Sequence, residues 1–519
     1  MNPSQKTTPS FPWLGALFTD KGTFSLDFIN TVVGKYASVA IGSVRTIMVP
    51  ALLGPTTYGI WRLMMVAESL SRVAHLGTVS ALPRQIPYYQ GRHEKARESD
   101  SRSTALSTSF FGGLLTSFLI LTGAALIRTP ALRLPLLLFA VLNLVNRFVL
   151  FYRTLFGAER LFGSRAKIRL MNTALSSTLA VAAVAFLGLN GLIGATILIS
   201  SLEIFLYTRR YPVPVVFRFN PGEFKESVRV GLPILLTGII GLVLRNVDML
   251  MITAMLGIKD VGLFGLGSGL SQKMSELAAL IGFVAMPRLA SQYGLHKKVA
   301  PLRNLVERPA IYVGLLFPLL ALGAYFASEI LLQTLWHSYG SGQNALRLLV
   351  LSTMFVAIYL SYSGFFATIR KQVRIIFLQG IIILLNVAGN YLLIRAGYGI
   401  SGAALSTAVC LMVFSLVQTI LALKEFAPLR QVPGRLLRIY VGPMVAIALA
   451  LGEQAAVAAM GGSSLPVVLV AAVVALLAYT AMLLLVAPRF GIHLKQTILD
   501  LFRSRRVSSG APPARPGTA

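Results

Sequence analysis

Leu53-Gly54-Pro55-Thr56-Thr57-Tyr58-Gly59 joins two apolar runs that together extend from Lys35 to His75. Gly and Pro punctuate the chain here, so the runs read as two bilayer-spanning helices joined by a short turn. Lys35, Arg45, Arg62 and Arg72 interrupt the apolar pattern. A cation at a helix centre costs roughly 2.5–3.5 kcal/mol on insertion scales, so it is kept where it faces water, a partner or a solute.

The rest of the chain has the same character. Hydrophobic residues make up 55% of the 519 residues and charged residues 13%, the composition of a membrane protein. The net charge of +29 lies in short runs between apolar segments, with no separate basic domain, which argues against nucleic acid as a partner. Cys410 is the single cysteine, so neither an intramolecular disulfide nor a cysteine metal cluster can form. The sequence GxxxxGK[ST] does not occur, which argues against an ATP-driven pump, and no cofactor or metal is expected. Residues 1–28 are polar, lack the form of a removable signal and are read as a cytoplasmic segment.

Spans of about 20 apolar residues fall near 29–53, 58–81, 104–127, 132–156, 169–188, 191–210, 229–256, 261–285, 309–334, 345–369, 374–395, 400–423, 438–460 and 465–487. The expectation is therefore an all-α polytopic membrane protein of about fourteen transmembrane helices. Basic clusters follow every even-numbered span, among them Arg84 to Arg102, Arg160 to Arg169, and Arg370 to Arg374. The intervening loops carry only Arg128, Arg133, Lys259, Arg347 and Arg395. Lys and Arg are retained on the cytoplasmic side, which places both termini there. The Pro/Gly/Ser-rich tail, 488–519, is expected to be disordered.

Leu52 to Ile60 returns as Met255-Leu256-Gly257-Ile258-Lys259-Asp260-Val261-Gly262-Leu263, offset by 203 residues, and Gly191 to Ala195 matches Gly399 to Ala403 at an offset of 208. The reading is two pseudo-symmetric six-helix lobes, 29–210 and 229–423. A cytoplasmic linker, 211–228, joins them, and accessory helices occupy 424–487. Parallel repeats of this kind imply a transporter with a site between two lobes.

Polar residues then mark that site. Gly34, Ser38, Gly42 and Arg45 share one face of the first span, and Gly238, Gly241, Arg245 and Asp248 one face of the seventh. Arg45 corresponds to Asp248 through the 203-residue offset. Close packing accounts for the glycines, whereas the arginines are expected to line a cavity, or alternatively to pair with Asp248. Glu68, Arg72 and His75 share a face of the second span, with Glu68 and Arg72 spaced for an ion pair. Arg62, near the outer end, is expected to snorkel to the surface. Asn143, Asn146 and Arg147 converge on the fourth span, offering either sugar contacts or interhelical hydrogen bonds. Lys273 and Glu276 could compensate each other. His337, beside Trp336 and Tyr339, reads as an interfacial aromatic anchor. Glu453 has no evident role.

Seven lipid-facing cations would cost on the order of 20 kcal/mol, so most must face the interior. A cationic interior implies an anionic passenger, and the arginine fork suits phosphate. The expected substrate-binding cations are Arg45, Arg245, Lys35, Arg72, Arg147 and Lys273. Asp248, Glu68 and Glu276 are the candidates for ion coupling, and Asn143 and Asn146 for sugar contacts. No catalytic residue is expected.

Leu53 to Trp61 with its echo Leu256 to Leu263, and Gly231-Leu232-Pro233 with Asn246-Val247-Asp248, resemble the Wzx-type polysaccharide flippases of the multidrug/oligosaccharidyl-lipid/polysaccharide superfamily. The resemblance implies alternating access that moves a polyprenyl-diphosphate-linked glycan across the bacterial inner membrane. It also implies coupling to an H+ or Na+ gradient, and polymerase or chain-length proteins as partners. The alternatives are a lipid II flippase, a drug/cation antiporter, and a membrane glycosyltransferase or polymerase. An enzyme of the last kind would need a substantial outer loop with catalytic acids, and the outer loops here are short and almost free of them.

Overall fold

The computed structural model describes residues 23–126, 129–211, 216–459 and 464–490, with side chains described from residue 36 onward except at 162, 280–288 and 490. The side chain of Lys35, most of the N-terminal segment and nearly all of the tail lie outside the described residues. Among those described, every regular element is a helix. In chain order these are α1 (Thr23–Ser71), α2 (Thr78–Gly91), α3 (Lys95–Leu126), α4 (Pro130–Ala158), α5 (Phe162–Arg210), α6 (Pro221–Met255) and α7 (Ile258–His296). They continue with α8 (Arg303–Thr334), α9 (Gln343–Thr368), α10 (Gln372–Leu393), α11 (Gly399–Lys424), α12 (Val432–Ala459) and α13 (Leu465–Val486). Starts follow local chemistry: Pro221 occupies the first turn of α6, and the Asn220 side chain accepts the backbone N–H groups of Gly222 and Glu223.

Ten helical stretches among the described residues are long and apolar enough to cross a membrane, which differs in form from fourteen separate spans. Boundaries expected between spans instead fall on glycines within continuous helical runs. Tyr36–His75 contains 40 residues, about twice the length that crosses a hydrocarbon core. Gly54, at φ 72°, breaks that run. Gly188 does the same inside α5, at φ 57° and ψ −135°. α7 contains residues whose side chains are undescribed and is not among the ten.

The repeat is visible in the backbone. Gly54 and Gly257, 203 residues apart, both take positive φ, at 72° and 118°, a conformation that only glycine adopts without strain. Five residues beyond each, the two lobes touch through a reciprocal contact. A Cβ on Gly59 would lie 2.1 Å from the Ile258 carbonyl oxygen, and one on Gly262 would lie 1.8 Å from that of Pro55. Pro55 and Ile258 are themselves repeat equivalents, so the pseudo-twofold axis passes between the glycines. Side chains cannot enter this contact. Gly262→Val is expected to keep both lobes folded but hold them apart at this end. Cysteine crosslinking between Thr56 and Lys259 substitutions would show the loss of proximity, and unchanged crosslinking would refute the close-approach argument.

The second repeat match needs a shifted register. Gly188 and Gly399 share a conformation, φ 57° and ψ −135° against φ 52° and ψ −138°, at an offset of 211. The expected 208 paired Gly191 with Gly399. A π-helical turn, Ile394–Tyr398, immediately precedes the break in the second lobe.

A second contact between the lobes closes the end that carries the basic loops. A Cβ on Gly231 would lie 1.9 Å from the Gly77 carbonyl oxygen. Beyond it, Ser227 donates to Gln85 Oε1 at 2.9 Å and Tyr89 donates to Glu223 Oε1 at 2.7 Å. Burial and the Glu223 carboxylate push the Tyr89 hydroxyl pKa up, which keeps it a donor at any physiological pH. The carboxyl-terminal helices α12 and α13 dock on α8. Gly314 and Gly442 meet backbone to backbone, and Tyr479 donates to the Leu315 carbonyl at 2.7 Å. Glu453 also finds its role there, as it accepts from Tyr325 at 2.8 Å.

Candidate functional site

The two glycine contacts bracket a length of α1, α6 and α7 that is lined by charge. On α6, Arg245 lies on the same helical face as buried Asp248, Met249 and Ile252. At 100° per residue it is roughly 140–180° around the helix from exposed Leu232, Leu236 and Leu250. The Arg245 side chain is nonetheless exposed, on the face opposite those leucines. Among the described residues, no hydrogen bond or ion pair occupies it.

Asp248 does not pair with Arg245. It is buried, and its carboxylate is held by neutral donors, Asn390 Nδ2 at 2.7 Å and Thr407 Oγ1 at 2.9 Å. Asn390 Nδ2 also approaches Asn386 Oδ1 at 3.4 Å. Asn390 Oδ1 is buried with no hydrogen-bond partner. A buried carboxylate held only by neutral groups, with an unpartnered amide oxygen on one of the residues that hold it, is a group able to take a proton or a small hard ion.

On α1, Arg45 shares a face with buried Ser38 and Val49. Its Nη2 donates to Thr196 Oγ1 of α5 at 3.2 Å, and its guanidinium lies 5.8 Å from the centre of the Trp61 ring, within cation–π range. It has no carboxylate partner among the described residues.

Glu68, Arg72 and Arg147 form one network. Glu68 takes Arg72 on Oε2 at 2.7 Å and Arg147 on Oε1 at 3.1 Å. Arg147 is 1% exposed and also reaches Ser71 Oγ at 2.9 Å and Asn143 Oδ1 at 3.2 Å. Asn143 Nδ2 donates to Thr116 Oγ1 and Ser117 Oγ. With its oxygen accepting as well, its hydrogen-bonding capacity is used inside the lobe. Asn143 and Arg147 are therefore interhelical ties inside the lobe, buried away from any surface a sugar or phosphate could reach, although Arg147 Nη1 has no hydrogen-bond partner there. Arg72, with its side chain 43% exposed, keeps an open edge. Asn146 accepts from Ser200 at 3.3 Å, and its amide nitrogen is not engaged among the described residues.

Lys273 and Glu276 of α7 pair at 3.2 Å and are both partly exposed. Lys273 Nζ would lie 3.9 Å from a Cβ on Gly42, so the small-residue stripe of α1 makes room for a cation from the opposite lobe. Arg62 departs from the snorkelling expectation. It crosses to the second lobe, packs on Gly265 and donates to Ser268 Oγ at 3.0 Å. Gly265 is its own repeat equivalent, and the missing side chain there admits the arginine.

The aromatic residues near His337 also depart from expectation. Trp336 and Tyr339 are buried and donate to the carbonyls of Ile47 and Pro50 on α1, at 3.0 and 2.9 Å. Pro50 is in the last turn before Gly54, where helix carbonyls lack intrahelical partners. The sequence signal was the break itself, which leaves acceptors for another element to fill.

Comparison with known proteins supports this architecture. The family model described as "Polysaccharide biosynthesis protein" matches residues 49–341, a range that contains both halves of the glycine contact. No curated protein sequence matches. Among solved structures, the lipid II flippase MurJ in its inward closed conformation is similar at a TM-score of 0.63 and 13% identity, over 88% of this chain and 98% of that one. An inward-facing multidrug resistance MATE family transporter is similar at 0.56 and 16%, over 80% and 98%. Its outward-facing counterpart gives 0.53 and 17%, over 81% and 98%. At these identities the likeness is one of fold, which the two transporters, described as members of the MOP (multidrug/oligosaccharidyl-lipid/polysaccharide) superfamily, share with this chain. With more than half of its length matched by the family model, the chain belongs to the polysaccharide biosynthesis protein family.

Proposed function

We propose that the protein carries a polyprenyl-diphosphate-linked oligosaccharide from the cytoplasmic to the outer leaflet of a bacterial inner membrane by alternating access. The observation that carries this reading is Arg245, an exposed guanidinium on the interior face of α6 with no partner among the described residues. Lys273 and the open edge of Arg72 extend the positive field. A diphosphate satisfies such a field and accepts the arginine fork. The two glycine contacts are the alternating closures, and the basic loops would face the cytoplasm, with both termini on that side. The family model supports an oligosaccharide as the cargo. Deleting the gene and analysing the retained lipid-linked intermediate tests this: an undecaprenyl-diphosphate oligosaccharide is expected, and an accumulation of lipid II would overturn it.

Asp248 with Asn390 and Thr407 would take the coupling ion, Na+ or H+. Asp248→Asn is expected to leave the protein folded and to remove the dependence of export on the ion gradient, with export falling by at least tenfold. Export that still collapses with the gradient in this variant would place coupling elsewhere.

A further inference from the structure

The two lobes build the same local structure with opposite charge. Through the 203-residue offset Arg45 of α1 is the equivalent of Asp248 of α6. Through the 211-residue offset set by the breaks at Gly188 and Gly399, Thr196 of α5 is the equivalent of Thr407 of α11. Each pair is joined: Arg45 Nη2 to Thr196 Oγ1 at 3.2 Å, and Thr407 Oγ1 to Asp248 Oδ2 at 2.9 Å. The equivalence extends one turn further. Thr196 Oγ1 accepts from Arg45 and donates to the Leu192 carbonyl at 2.6 Å, whereas Thr407 Oγ1, with its one proton on Asp248, lies 3.0 Å from the Ala403 carbonyl. Leu192 and Ala403 are again 211 residues apart. Neither charged residue has an oppositely charged partner among the described residues. In the second lobe the carboxylate sits beside a buried amide oxygen without a partner; in the first a guanidinium fills the corresponding place and is held by the same hydroxyl.

We infer that Arg45 is a resident cation, fixed in the first lobe where the second lobe takes an exchangeable one, so that the transporter has one ion site per chain and that site is at Asp248. The inference rests on the reading of Asp248 as the coupling site. Its physical content is an asymmetry: a covalently held charge cannot leave, so the electrostatic state of the first lobe is constant while that of the second changes with ion binding. Coupling then acts through the second lobe alone. The same fixed charge strengthens the field that an anionic passenger meets, without having to be released on each cycle.

The test is a count of ions bound per purified full-length chain, Na+ by radiotracer binding and H+ by proton release to a pH indicator. Wild type is expected to bind one, and Asp248→Asn none. Arg45→Asp, which sets a carboxylate against Thr196 as Asp248 lies against Thr407, is expected to bind two. The added ion should be lost in Arg45→Asp/Thr196→Ala. Two ions on wild type, with one surviving in Asp248→Asn, would overturn the inference. So would an Arg45→Asp variant that keeps the Asp248-dependent ion, and is thereby shown to be folded, yet gains no second. If neither wild type nor Asp248→Asn binds any ion, it is the reading of Asp248 that fails. The gain or absence of an ion in Arg45→Asp then still reports on the place that Arg45 fills.

Discussion

Arg245→Ala is expected to abolish surface glycan while the protein remains in the membrane at wild-type abundance. Arg245 is exposed and has no partner among the described residues, so its removal leaves no buried group unsatisfied and should cost little stability. What is lost is a charge-assisted contact with the passenger, worth about 1.5–3 kcal/mol and therefore roughly 10- to 100-fold in affinity. The effect on export exceeds this if the contact also triggers closure of the lobes. Arg245→Lys keeps the charge but lacks the planar fork, and should retain partial export. The measurement pairs an immunoblot of membranes with quantification of surface glycan and of the accumulated lipid-linked precursor. Normal glycan from the alanine variant would remove Arg245 from the transport path.

The sequence announced the class and the repeat more fully than the site. Apolar runs of bilayer length can be counted without tertiary information, and Gly54 with Gly257 betrays the repeat because both positions demand the same backbone. What the pattern along one helix cannot supply is the partner across the interface. Arg62 looked superficial from its distance to the helix end, but Gly265 on the other lobe gives it a place to lie. Arg147 looked like one more cation in a cavity, whereas Glu68 from the facing helix pairs with it and the packing buries it. Asp248 and Arg45 were legible as repeat equivalents. Their threonine partners were not, because the sequence match pairs Gly191 with Gly399, whereas the backbone break pairs Gly188 with it.

Glu68→Ala carries the largest expected loss of stability. Glu68 is 6% exposed and holds two guanidinium groups. Arg72 can turn to water when the carboxylate goes, because its side chain is already 43% exposed. Arg147, at 1%, cannot. Removing one member of a buried pair leaves an uncompensated charge and costs about 3–5 kcal/mol, more than the pair itself contributes over an apolar replacement. Glu68→Ala should therefore lower the unfolding temperature of the detergent-purified protein and its abundance in the membrane. Glu68→Leu/Arg147→Met, which removes both charges at similar volume, should recover most of that loss. Glu68 was also a candidate for ion coupling, and the two roles separate cleanly in this pair of variants. If Glu68 is a structural tie, the double variant is both stable and active in export. If it carries an ion, the double variant is stable and inactive, and an unfolding temperature unchanged by Glu68→Ala would show that the network does not hold the lobe together at all.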